Sequence, residues 1–130
     1  DFMSHKIEHE LGGMFDVTHG AGLAAVWGSW ARYTRNENLP RFARFAHNVM
    51  GIDTTNMSDM EASETGIKAM EQFFRSIGMP TDIHTLVGKD ITDAEIEEMA
   101  QKCTNGDTTT IGGLKILHAA DIVKIYQMAK

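Results

Sequence analysis

Cysteine is nearly missing from this chain: Cys103 stands alone in 130 residues. No internal disulfide can staple the fold, and such sparing cysteine use suits a reducing, cytoplasmic compartment. Long apolar runs are missing too. No stretch approaches the roughly 18 residues of a membrane span, and no basic segment leads into an apolar one as in a secretion signal. Positive charge is in deficit, with 12 Lys and Arg against 18 Asp and Glu and a formal net charge of -6. A nucleic-acid partner, which would need a basic face, is therefore not expected. Strand patterning is nearly absent as well: no segment of five or more residues alternates cleanly between apolar and polar. There is no internal repeat and no low-complexity tract.

What remains is helical rhythm in a chain long enough to form one domain and bury roughly two thirds of its unfolded surface. Met3, Ile7, Leu11 and Met14 recur at helical spacing and define one face of a first helix that ends near Gly12-Gly13. A second helix is expected from about His19 to Arg35, with Leu23, Val26, Trp27 and Trp30 as its buried stripe. A third follows Pro40, a residue suited to a first helical turn, with Phe42, Phe45, Ala46 and Val49 inside until Gly51. Ser58, with Glu61 three residues on, opens a fourth, whose core face is Ile67, Met70, Phe73, Phe74 and Ile77. Gly78 and Pro80 stop it. Thr92 and Glu95 form a second capping box ahead of Ile96, Met99, Ala100 and Cys103. After a Thr- and Gly-rich loop over Asn105–Gly113, Leu117 precedes a last helix carrying Ile122, Ile125, Tyr126 and Ala129. The expected fold class is all-α: a compact domain of about six helices.

Three of the six histidines cluster, at positions 5, 9 and 19. His5 and His9 are four apart and project from one side of the first helix, one turn above the other. Their face points away from the apolar stripe and also carries Gly12, where a missing side chain admits a ligand or another backbone. It is either plain solvent-facing surface or the wall of a cleft. His19 falls at the mouth of the second helix, where the helix dipole disfavours a cation, and a metal ligand must be neutral imidazole. Two such imidazoles make half of a metal site, since catalytic centres generally use three or more protein ligands. The same residues contain a competing pattern. His5-Lys6-Ile7-Glu8-His9 matches H-x-x-E-H, the inverted zinc-peptidase motif, with Glu8 as base and Glu61 or Glu64 as the acidic third ligand. In the simplest reading Glu8 is only a solvated helix charge. His47 and His84, the two tryptophans, the nine methionines and Cys103 read as structure.

The stretch from His5 through His9-Glu10-Leu11-Gly12-Gly13 and Asp16-Val17-Thr18-His19-Gly20-Ala21-Gly22-Leu23-Ala24 resembles the signature of iron-containing (group III) alcohol dehydrogenases, most of all their butanol dehydrogenase subgroup. The likeness continues through Phe73-Phe74-Arg75-Ser76-Ile77-Gly78-Met79-Pro80 and Asp121–Tyr126. His118 departs from it, standing where the family commonly has Thr or a similar helix cap. The resemblance implies a dehydroquinate-synthase-like enzyme of two domains, an amino-terminal dinucleotide-binding domain and a helical metal domain. Residues 1–130 resemble the second, without its first metal-ligand helix. The family holds Fe2+ or Zn2+ with one Asp and three His, and His5 and His19 match the last two histidines. The Asp and the first His are expected upstream of Asp1, in a longer protein, together with the glycine-rich phosphate loop. His9 matches a position associated with the cleft and with proton movement. The implied activity is reversible hydride transfer between NAD(H) or NADP(H), bound mainly by the other domain, and a small aldehyde or primary alcohol. The whole enzyme would be a cytoplasmic homo-oligomer, a dimer, and the fragment alone would be inactive. A helical interaction module without metal is the reading from outside this family, along with the zinc peptidase.

Overall fold

The computed structural model describes residues 3–106 and 115–130, with the side chains of Met3 and Ser4 left out. Beyond Gly106, the expected Thr- and Gly-rich loop lies outside the described residues. Seven α-helices follow one another: α1 (Met3–Phe15), α2 (His19–Thr34), α3 (Leu39–Asn48), α4 (Asp59–Ser76), α5 (Ile83–Val87), α6 (Asp93–Cys103) and α7 (Ala119–Ala129). A 3-10 turn, Arg35–Glu37, extends α2. Among the described residues there is no β-strand, as the missing alternation implied. The addition to the six expected helices is α5, whose five residues are too few to show helical periodicity. Asp82 caps it by accepting from the Thr85 N–H at 2.7 Å, and Gly88 ends it at φ +86°.

The capping chemistry falls where the residue types place it. Ser58 accepts from the Glu61 N–H at 3.1 Å. Thr92 and Glu95 form the reciprocal box, at 3.1 Å and 2.9 Å. At α7 the Asp121 carboxylate accepts from the His118 N–H at 2.9 Å, so the third residue of the helix supplies a contact that satisfies its N-terminus.

α2 is the central helix, packed against α1, α4, α5 and α7, while α6 closes the far side against α1 and α7. The core joins Ile7 and Leu11 of α1, Val26, Trp30 and Ala31 of α2, Ile67 of α4, Ile96 and Met99 of α6, and Ile122, Ile125 and Tyr126 of α7. Two apolar stripes are shorter than expected. Val49 is 64% exposed, having fallen just past the end of α3, and Phe73 and Ile77 are 51% and 57% exposed. α4 buries Ala62, Ser63, Gly66 and Ile67 in its first half. Trp27 is half-buried between Phe45 and Phe74, with ring centroids 5.8 and 6.0 Å away.

Candidate metal centre

The first two helices place the histidines through a tight reversal. α1 ends at Phe15, and Asp16 adopts φ +53°, a left-handed conformation that Asp tolerates better than most side chains. Its N–H donates to the Gly12 carbonyl at 2.8 Å. Thr18 is extended, and α2 begins at His19. The chain therefore doubles back and lays the mouth of α2 against the early turns of α1. His5 and His19, fourteen positions apart in sequence, have ring centroids 5.4 Å apart at an interplanar angle of 45°.

That separation can be tested against an ion. With metal–nitrogen bonds of about 2.0–2.1 Å, two imidazoles on one tetrahedral ion put their ring centroids roughly 5 Å apart. The observed pair fits, and both rings are on the exposed side of the helices. Among the described residues no group of three His, Cys, Asp or Glu comes together at ligand distance, so these residues present an imidazole pair and no complete cage. His9 lies one turn further along α1, exposed.

Glu8 is neither a solvated charge nor placed as a base for a pair made by His5 and His9. It is buried, at 2% exposure, and one carboxylate oxygen lies 2.6 Å from Nδ1 of His19. Two glycines make room for it. A Cβ at Gly22 would come within 2.6 Å of Glu8 Cγ and Oε1, and one at Gly12 within 3.1 Å of Oε1. The space that glycine leaves on the histidine face is thus filled by the chain's own carboxylate rather than held open for a ligand. Helical periodicity alone leaves the position of Glu8 ambiguous. At 100° per residue it sits 60° from His5 on one side and 60° from Leu11 on the other, on the boundary between the histidine face and the core. Nor does the third acidic ligand of the peptidase reading materialise, because Glu64 is engaged by Arg32 and Arg35 at 3.0 and 2.6 Å, and Glu61 is exposed in the first turn of α4.

Two further histidines have local partners: His47 Nδ1 lies 3.2 Å from the Ile52 carbonyl and His84 Nδ1 2.7 Å from Asp90. Beside the mouth of α2 an open cleft of about 600 Å³ is lined by Asp16, Thr18 and Ala21 on one side and Arg75, Met79 and Thr85 on the other.

With an imidazole pair on a helical scaffold in view, comparison with known proteins gives the class. Residues 1–130 match the family model described as the Fe-containing alcohol dehydrogenase family, C-terminal. The chain belongs to that family. It is 34% identical to the NADH-dependent butanol dehydrogenase A of Clostridium acetobutylicum over 125 residues, covering 95% of this chain and 31% of that protein. With the 1,3-propanediol dehydrogenase of Citrobacter freundii it shares 31% identity over 96% of this chain and 31% of that one. Among solved structures, the E. coli aldehyde reductase YqhD superposes with a TM-score of 0.88 at 26% identity, over 100% of this chain and 33% of that one. The chain thus spans about a third of the length of the relatives it matches.

Proposed function

We propose that these residues form the helical metal-binding domain of a longer NAD(P)-dependent alcohol dehydrogenase that interconverts small aldehydes and primary alcohols. The relatives' names, butanol and 1,3-propanediol dehydrogenase, support that substrate class, and the NADH-dependence printed for the first supports a nicotinamide cofactor. On this reading a dinucleotide-binding domain and the remaining metal ligands precede the chain, and the whole enzyme works in the cytoplasm as a dimer. No helix among the described residues is long and apolar enough to cross a membrane.

The observation that carries the proposal is the 5.4 Å approach of the His5 and His19 rings. When bound, a divalent ion there supplies a Lewis acid toward a carbonyl oxygen, while the nicotinamide supplies the hydride. The chain's own part is to hold two imidazoles in register from packed helices, so that neither has to be ordered when the ion arrives. Iron and zinc both accept imidazole, and intrinsic affinity favours zinc over ferrous iron. To His9, exposed one turn from His5, we assign the passing of a proton to or from solvent, a general acid–base role that imidazole side chains commonly fill.

Substituting His5→Ala and His19→Ala singly in the full-length protein tests this. Each is expected to lower bound metal well below one equivalent and to abolish aldehyde reduction. Retained metal and turnover in both variants would overturn the ligand assignment. If wild-type protein with its upstream domain takes up no metal at all, the chain is a helical packing module instead.

A further inference from the structure

We infer that Glu8 is a positioning residue for the metal centre: its buried carboxylate fixes the ring of His19 and turns Nε2 outward as the donor atom. This rests on the reading of His19 as a ligand and extends it to a residue that does not itself reach the ion.

Four observations converge. The Glu8 oxygen is 2.6 Å from Nδ1 of His19. The two side chains are unequally exposed, 3% for Glu8 and 62% for His19, so the carboxylate is anchored in the protein while the ring it holds faces outward. A carboxylate against Nδ1 keeps the proton on that nitrogen, which leaves Nε2 with its lone pair free to donate. Third, Gly22 stands one turn after His19 on the same face of α2, and a Cβ there would overlap Glu8. Fourth, Tyr126 of α7 donates to the Ile7 carbonyl at 2.5 Å, tying the backbone next to Glu8 to the core. A surface acid making a chance contact would need neither the glycine nor the anchored backbone. Partners that orient a ligating histidine typically change metal affinity 10- to 100-fold when lost.

The test uses full-length protein and reads metal affinity by chelator competition, with thermal melting as the check on folding. Glu8→Gln keeps the shape but not the charge and is expected to weaken binding about 10-fold; Glu8→Ala should weaken it up to 100-fold. Gly22→Ala alters neither histidine nor acid, yet it displaces the Glu8 carboxylate and should weaken binding to a comparable extent. In the Glu8→Ala background Gly22→Ala should then cost little more, since the overlap is gone. X-ray absorption of the loaded protein should show the imidazole shell disordered in the Glu8 variants. If His19→Ala loses the metal but both Glu8 variants, folded, bind it as wild type does, the inference is wrong and the ligand reading stands. If His19→Ala itself binds normally, the ligand reading falls and takes this one with it.

Discussion

At the scale of single residues, burial decides chemistry. Cys103 on α6 is half-buried, as its place on an apolar stripe implied, and burial, aided by Glu10, pushes its thiol up to about 11. A thiolate is the reactive form, so alkylation by iodoacetamide at pH 7.5 is expected to run at least about tenfold slower than for free cysteine. It should accelerate on unfolding. Rapid labelling of the folded protein would contradict that environment. The same variable separates Glu8 from its neighbours. Residue type and spacing made His5, His9 and His19 candidates, because imidazoles at helical intervals are visible in a string of letters. The carboxylate between His5 and His9 was marked only as the base of a peptidase motif or as a solvated charge, not as a buried partner of His19. Whether a boundary residue on a helix faces water or core depends on the helix packed against it, and here that is the glycine at position 22 on α2. No single-helix periodicity contains that information.

At the scale of elements, the helices with strong periodicity and caps were legible, and what escaped was the length over which each one packs. α4 shows the reason. Its apolar residues continue to Ile77, yet the residues it buries, Ala62, Ser63, Gly66 and Ile67, lie in its first half, where a Cβ at Gly66 would lie 2.8 Å from Ala46 Cβ and 3.0 Å from Ala46 Cα. Sequence reading assigns a face from spacing alone, while burial needs a partner of equal length. Gly66 also sets up a contest of magnitudes. Glycine to alanine inside a helix gains about 1 kcal/mol in propensity, whereas forcing a methyl group into a filled seam costs about 1–3 kcal/mol. Because the obstruction includes backbone of α3 rather than the tip of a flexible side chain, the cost should win. Gly66→Ala is expected to lower the melting temperature. Gly13 in α1 is the control, since a Cβ there meets nothing within 4 Å and the site is exposed. Gly13→Ala should leave the melting temperature unchanged or raise it by the equivalent of up to about 1 kcal/mol. The reverse order in calorimetry would mean that α3 and α4 are not in close contact at this point.

At the scale of the whole molecule, the core is hydrophobic, but the seam between α2 and α4 is also ionic. Arg32 spans Glu64 at 3.0 Å and Glu71 at 2.6 Å, and Arg35 reaches Glu64 at 2.6 Å. Gly28 leaves the room in which Glu71 lies, since a Cβ there would meet its Oε2 at 2.3 Å. Burial opposes ionisation of Glu64, but hydrogen bonds and attraction from Arg32 and Arg35 prevail, holding its carboxyl below the ordinary 4.5. The unfolded chain therefore takes up a proton at Glu64 before the folded one does. The stability this gives is complete above about pH 4.5 and is lost as pH falls through the depressed folded value. Tyr33 contributes to the opposite limb. Burial first, then its hydrogen bond to Asp121, push the phenol from 10.0 up to about 12, so its contribution is full below pH 10 and is lost as pH rises toward 12. Glu64→Gln isolates the acid limb. With side chains 24% and 29% exposed at the Arg32–Glu64 pair, the loss at pH 7 should be about 1–3 kcal/mol, between the limits for exposed and buried pairs. The gap between wild type and variant should narrow as melts are taken from pH 5 toward pH 3, because protonated Glu64 can no longer pair with either arginine. A gap that stayed constant across that range would mean that Glu64 acts through shape and packing, and that charge contributes nothing to joining α2 to α4.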